Sequence, residues 1–207
     1  MARTSKNNAL YSQIAGSFLL STPRLTQEPF CRAVVWITEF SERGAMGFVL
    51  SNPAGTTLGS QSVNFAGTPL QNVPLMLGGP VEPNRLTIVS TVENALNQQL
   101  MTHINVQEAV FDDLQFRQDA ICLAFAGTAQ WAPKQLEKEL KEGIWIKGAA
   151  DFVVTRQFFR EVELSSRFEN KRDFRGVLWS RILSKQPNPY HKVAAQLPYD
   201  LRDLANN

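Results

Sequence analysis

Residues 33–53 are Ala-Val-Val-Trp-Ile-Thr-Glu-Phe-Ser-Glu-Arg-Gly-Ala-Met-Gly-Phe-Val-Leu-Ser-Asn-Pro, and this stretch predicts two strands joined by a turn. Residues 33–40 are rich in Val, Ile and aromatic side chains, and residues 48–50 form a second apolar run. The polar connection between them ends in Gly44, as hairpin connections often do. Neither strand alternates apolar and polar residues, so we expect both faces of this hairpin to be covered.

Further strands are predicted on both sides of the hairpin. The most apolar run of the chain, residues 120–126, is typical of a central strand that is buried on both faces. Shorter apolar segments predict strands at residues 14–21, 73–77, 86–90, 144–146 and 151–155. The segment 73–77 ends in Gly78-Gly79-Pro80, which favours a tight structural turn.

Helices are predicted mainly in the second half of the chain. The best of them starts near Trp131, has Pro133 in its first turn, carries Leu136 and Leu140 on one face, and ends at Gly143. Phe174, Val177, Leu178 and Ile182 form another helical stripe, which Asp173 could cap. Residues 93–101 and 105–114 also have helical composition, whereas 54–72 predict a loop with one helical turn.

Length and composition predict one folded domain. A chain of 207 residues with a 43% hydrophobic share can bury a substantial core, so we expect a single domain at residues 13–185. Residues 1–12 are expected to be loosely ordered, and the proline-containing tail 186–207 to be irregular. Two cysteines are too few for a disulfide framework, and no apolar run is long enough to span a membrane, so we expect a cytoplasmic protein.

The net charge of +2 does not indicate a surface shaped throughout for nucleic acid. Residues 156–185 are more basic than the rest, with eight Lys or Arg side chains against four acids. A helix face of mixed charge is the ordinary explanation for such a segment. The alternative is a nucleic-acid-binding patch, for which the candidates are Arg167, Lys171, Arg172 and Arg175.

Three segments resemble the YqgE/AlgH family of small bacterial proteins. The first runs from Phe18-Leu19-Leu20-Ser21-Thr22-Pro23 to Gly44-Ala45-Met46-Gly47-Phe48-Val49-Leu50-Ser51-Asn52-Pro53. The second is Leu75-Met76-Leu77-Gly78-Gly79-Pro80-Val81, and the third joins residues 123–131 to Gln135-Leu136-Glu137-Lys138-Glu139-Leu140 and Trp145. The resemblance extends from about residue 16 to about residue 155. Residues 91–117 and the tail after about residue 158 depart from the family pattern.

The resemblance implies an α+β fold, in which helices surround a curved, mostly antiparallel and partly barrel-like sheet. The family has no settled biochemical activity. One member is implicated in transcriptional control of exopolysaccharide synthesis, so the resemblance also implies a regulatory role. This role identifies a pathway but does not explain a molecular mechanism.

No complete catalytic or metal-binding motif accompanies this resemblance. The two His and two Cys residues lack the short spacings of a zinc site, and neither a Walker loop nor a dinucleotide fingerprint is present, so we expect no metal and no cofactor. Cys122 lies in the most apolar run, where burial raises a thiol pKa, and is expected to be inert. Cys31, at a strand edge, is the better redox candidate.

A small-ligand site built from loops is the remaining chemical hypothesis. Its candidate residues are Arg43, Asn52, Gly78, Gly79, Arg85, Trp131 and Gln135. Trp131 is expected to cover the core but could instead form the wall of such a site. Arg43 and Arg85 are solvated charges by default, and they would form an anion-recognition pair only if their two turns converge.

The leading interpretation is a non-catalytic, cytoplasmic regulatory protein that acts through an as yet unknown protein partner. A small-ligand binder or enzyme with the loop-built site is the first alternative. Nucleic-acid binding through residues 156–185 is the second. The sequence leaves the oligomeric state open.

Overall fold

A computed structural model describes residues 14–93, 100–104, 120–148, 160, 162–163 and 171–184. Within these ranges the chain forms one nine-stranded sheet and three helices. The strands are β1 (Phe18–Ser21), β2 (Val34–Ser41), β3 (Gly44–Val49), β4 (Pro53–Thr57), β5 (Pro74–Leu77), β6 (Val81–Glu93), β7 (Leu100–Ile104), β8 (Ile121–Trp131) and β9 (Trp145–Lys147). The helices are α1 (Leu58–Gln61), α2 (Gln135–Lys141) and α3 (Lys171–Ser184).

The sheet is mixed but largely antiparallel. Its main path runs β4-β5-β8-β3-β2-β1-β9, with β6 paired to β8 and β7 paired to β6. Only β5 and β8 run parallel to each other among the described strand pairs. The sheet curls strongly into a half-barrel with a few helices packed around it, which confirms the predicted α+β architecture.

The hairpin of β2 and β3 has side chains buried on both of its faces, as its sequence predicts. Ser41 pairs with Gly44, so the connecting turn has two residues. Val34 and Trp36 belong to one apolar cluster, whereas Val35 and Ile37 belong to another. Because successive side chains of a strand point to opposite faces, these clusters lie on opposite sides of the sheet.

Each cluster is completed by elements that cover the sheet. The first receives Phe174, Leu178 and Ile182 from α3, and the second receives Leu136 from α2. A third cluster lies on β5, β6 and β8 under the segment that contains Leu58 of α1. The helical stripe predicted in α3 is therefore confirmed. Asp173 lies inside α3 and does not cap it.

Several predicted elements differ from the structure. The helix predicted at residues 93–101 is wrong at its ends, because Glu93 lies in β6 and pairs with Leu100 of β7. Pairing with neighbouring strands outweighs the local helical preference there. Trp131 belongs to β8, so α2 begins only at Gln135. The loop predicted at 54–72 contains the helical turn α1, but β4 was missed. The segments 105–114 and 151–155 and both chain ends lie outside the described residues.

Three glycines allow β5, β3 and β8 to meet. The Gly78 N–H donates to the Ala126 carbonyl at 2.8 Å, and the Gly78 carbonyl accepts from the Val49 N–H at 2.9 Å. A Cβ on Gly78 would lie 2.3 Å from the Gly127 oxygen, and a Cβ on Gly79 would lie 2.3 Å from the Thr128 carbonyl carbon. Two backbones cross here at a distance that no side chain permits, so the predicted tight turn is a close backbone contact.

Replacement of Gly79 by alanine is expected to destabilise the fold by more than about 3 kcal/mol, because the added methyl group meets immobile backbone and the φ of +152° is strained. Denaturant unfolding followed by tryptophan fluorescence measures the change. Gly67→Ala is the matched control: Gly67 has a φ of +76° but nothing within 4 Å of its Cβ position, so it is expected to lose only about 1 kcal/mol. Equal losses in the two variants would contradict the role of the backbone contact.

Candidate functional site

One carboxylate links α2 to the ends of β8 and β9. Glu139 Oε2 accepts the indole N–H of Trp131 at 2.9 Å and that of Trp145 at 2.8 Å. Glu139 Oε1 accepts an amide N–H of Gln135 at 2.9 Å. Three donors from three elements therefore meet on one half-buried side chain.

The same cluster fixes both aromatic rings. The Trp131 and Trp145 rings are edge to face with centroids 5.9 Å apart, and Phe30 contacts the Trp145 ring in the same way at 5.7 Å. Trp131 is only 6% exposed, and the side-chain oxygen Oε1 of Gln135 accepts the Ala132 backbone N–H at 2.9 Å. The structure thus places Trp131 and the exposed Gln135 in one intramolecular hydrogen-bond network. Their assignment to a ligand site stays a prediction.

A second polar contact joins α3 to the start of β4. Arg175 Nη2 donates to Asn52 Oδ1 at 2.7 Å, and Arg175 Nη1 forms an ion pair with Glu28 Oε2. The Asn52 carbonyl accepts the Leu77 N–H at 2.8 Å, which ties this corner to β5. Asn52 was predicted for a ligand site and Arg175 for nucleic acid, yet the fold brings the two together.

The other candidate residues lie apart from these two contacts. Arg43 is exposed in the turn between β2 and β3, where its backbone N–H donates to Ser41 Oγ at 3.2 Å. Arg85 forms an exposed ion pair with Glu82 at 2.9 Å. Gly78 and Gly79 are packed against the β8 backbone. Lys171 and Arg172 begin α3 and their side chains are outside the described part, as is all of Arg167.

Both cysteines are free and half-buried. Burial raises the pKa of the Cys122 thiol above its ordinary value; the neighbouring Ser90 hydroxyl lowers this pKa in part, and the charge of Glu163 raises it further. Ser90 pairs with Cys122 on one side and with His103 on the other, so His103 is one strand removed from the thiol. His103 is therefore not the direct strand partner of Cys122, and the inertness of this thiol stays a prediction.

The described ranges contain no group of three or more His, Cys, Asp or Glu side chains placed to hold a metal ion. None of the helices in the same ranges has the length and apolar character needed to cross a membrane.

Comparison with protein families assigns the chain. A family model described as AlgH-like matches residues 18–163. The chain belongs to the AlgH-like family. A UPF0301 protein of Chlamydia caviae is 27% identical over 86% of this chain and 89% of its own length. A UPF0301 protein of Mycolicibacterium vanbaalenii is 27% identical over 93% of this chain and 92% of its own length.

An AlgH-like fold is also found among solved structures. The crystal structure of protein DIP2367 from Corynebacterium diphtheriae matches with a TM-score of 0.58 and 20% identity, over 87% of this chain and 91% of that chain. The fold predicted from the resemblance is therefore confirmed, and the biochemical activity of the family is uncharacterised.

The segments that resemble the AlgH-like family meet at one place in this fold. Residues 44–53 supply β3 and Asn52, residues 75–81 supply β5 and the two crossing glycines, and residues 123–131 supply β8. These segments form the junction of β3, β5 and β8 together with the contacts that anchor α2 and α3. In this chain they therefore build structure.

Sequence reasoning missed Glu139 and Glu28 as partners. The spacing of Gln135 and Glu139, four residues apart on a helix, was an available signal for their hydrogen bond. No local pattern signals the two indole contacts of Glu139 or the contact of Glu28 with Arg175, because each joins elements that are separate in sequence.

Replacement of Glu139 by glutamine is expected to lower the free energy of unfolding by about 1–3 kcal/mol, because an amide nitrogen would then face an N–H donor and the charge that strengthens three hydrogen bonds would be lost. Denaturant unfolding measures this change. Glu137→Gln, on the same helix, is the matched control and is expected to change stability by less than about 0.5 kcal/mol. A Glu139 variant as stable as the control would contradict the anchoring role.

Alkylation of Cys122 is expected to respond to pH differently in the folded and the unfolded chain. In a Cys31→Ser background the folded rate with iodoacetamide should still rise above the ordinary thiol pKa of 9.0, whereas the rate of the urea-unfolded chain levels off near it. Since the unfolded state loses this proton first, the contribution of the thiol to stability falls as pH rises past that value. A folded rate that levels off below pH 9.0 would show that burial does not control the thiol.

Proposed function

We propose that this AlgH-like chain is a non-catalytic regulatory protein of the cytoplasm that acts by binding a protein partner. The observation that carries the proposal is the internal use of the candidate ligand groups. Trp131, Gln135 and Asn52 bond to Glu139 or Arg175 of the same chain, and Gly78 and Gly79 pack against β8. Because these groups already have partners in the free protein, we place recognition of another protein on the outer surface of the fold.

Regulation of transcription is part of the proposal and is supported by the family resemblance. We infer action through a protein and not through direct contact with DNA, because Arg175, one of the four cations proposed for nucleic acid, is mostly buried and paired with Glu28 and Asn52. Phosphate contacts need exposed Lys and Arg side chains, since the affinity arises from neutralised phosphates.

Affinity capture tests this function. The tagged chain is expected to retain a specific protein partner from lysate of its own cells, before and after treatment with nuclease, and the purified partner should bind the purified chain. Loss of all bound molecules after nuclease treatment would contradict the proposal and favour nucleic acid. Recovery of only a small molecule would favour the ligand-binding alternative.

A charge variant separates the protein-binding proposal from the nucleic-acid alternative. Replacing Arg167, Lys171 and Arg172 with glutamine removes three of the four candidate cations and leaves the Arg175 contact in place. Capture of the partner is expected to change less than about twofold, because contacts of a protein interface do not depend on this cationic segment as phosphate contacts do. An Arg43→Ala/Arg85→Ala variant likewise tests whether the exposed arginines contribute.

A further inference from the structure

Arg175 is held in place from one side. Its Nη2 donates at 2.7 Å to Asn52 Oδ1, and the Asn52 residue is itself only 9% exposed. The Arg175 side chain is 15% exposed, and its helix is packed into the first apolar cluster through Phe174 and Leu178. The guanidinium is therefore positioned by groups that do not have to move when its other contact changes.

On its other side Arg175 contacts an exposed carboxylate. Glu28, whose side chain is 68% exposed, lies in the connection between β1 and β2 and presents one carboxylate oxygen to Arg175 Nη1. Exposed ion pairs contribute little to stability, because solvent screens the attraction and the long side chain loses conformational freedom. A mostly buried cation that is anchored by Asn52 thus faces a carboxylate that lies mostly in solvent.

A guanidinium is chemically suited to binding a carboxylate, which is the group that Glu28 presents to Arg175. A guanidinium has five N–H donors in a planar arrangement that matches both oxygens of a carboxylate. Glu28 makes its ion pair through a single oxygen, whereas a free carboxylate can turn to use two parallel hydrogen bonds.

We propose that Asn52 and Arg175 form a carboxylate-binding site, and that Glu28 occupies the carboxylate position in the free protein. The ligand is the carboxylate of a small organic acid or of an acidic residue on a peptide. This proposal goes beyond the proposed function, since it stands whether or not a protein partner supplies the carboxylate. Glu28 acts as an internal competitor that a ligand displaces.

Removal of the competitor tests the site. In Glu28→Gln the position opposite Nη1 loses its charge but keeps its shape, so the apparent affinity for acetate is expected to rise roughly twofold to fivefold over the wild type, as expected when a competing state is removed. The readout is the shift of the Arg175 side-chain N–H resonances during titration with acetate. Succinate and a short acidic peptide, titrated in parallel, distinguish a small acid from a peptide as the source of the carboxylate.

The exposed pair of Arg85 and Glu82 provides a matched control. Both of these side chains are more than half exposed, and neither is anchored by a buried amide in the described contacts, so Glu82→Gln should leave the affinity for acetate unchanged. Combining Glu28→Gln with Arg175→Lys should abolish the gain, because lysine keeps the charge but lacks the planar pair of donors. Circular dichroism checks that each variant is folded.

Three results would overturn the proposal. One is an equal affinity for acetate in the wild type and in Glu28→Gln. Another is a gain in Glu82→Gln as large as that in Glu28→Gln, which would show a general charge effect. The third is tighter binding of inorganic phosphate than of acetate or the acidic peptide, which would exclude carboxylate as the ligand class.

Discussion

The fold depends on the backbone contact between the Gly78-Gly79 pair and Gly127-Thr128. β5 ends at this point. The N–H of Gly78, the next residue, donates to the Ala126 carbonyl of β8, and the Gly78 carbonyl accepts from the Val49 N–H of β3. One strand, β8, can therefore pair with β5 over residues 124–126 and with β3 over residues 129–131. Any side chain at this contact would hold the two backbones apart, so the close approach of β5 to β8 requires residues without a Cβ atom.

Two polar contacts help to fix the helices on this sheet. The sheet carries α2 and α3 on different apolar clusters, and polar contacts help to fix each helix; among them, Glu139 accepts from two indoles, and Arg175 donates to Asn52. Indole N–H and amide groups that are buried without a partner are costly, so these contacts also satisfy the groups that the curled sheet buries. The two contacts differ in one respect. Glu139 is surrounded by its donors, whereas the Glu28 partner of Arg175 is mostly in solvent.

The parts of the fold that the sequence predicted well have strong local patterns. These patterns are runs or periodic spacings of apolar residues within a single segment. They occur in the β2–β3 hairpin, in the centre of β8, and on the apolar faces of α2 and α3. The strands β4 and β7 do not, because their residues become strands only by pairing with β5 and β6. Trp131 illustrates the limit at a boundary: it precedes Pro133 as a helix start would, yet its pairing with Ala45 extends β8 through it.

The candidate site, too, could not be predicted from local sequence patterns. It also shows that family membership supports an inference about the fold. Asn52 and Arg175 were both chosen from the sequence but for different functions, because 123 residues separate them and no local pattern links them. The segments that establish the family build the strand junction and its anchors, so membership carries the fold to this chain without carrying a reaction. Activity has to be sought where a polar group is fixed by the fold and its partner is free to exchange. Within the described residues Arg175 is the group proposed to meet that condition, since Asn52 holds the guanidinium and the Glu28 carboxylate that pairs with it lies mostly in solvent.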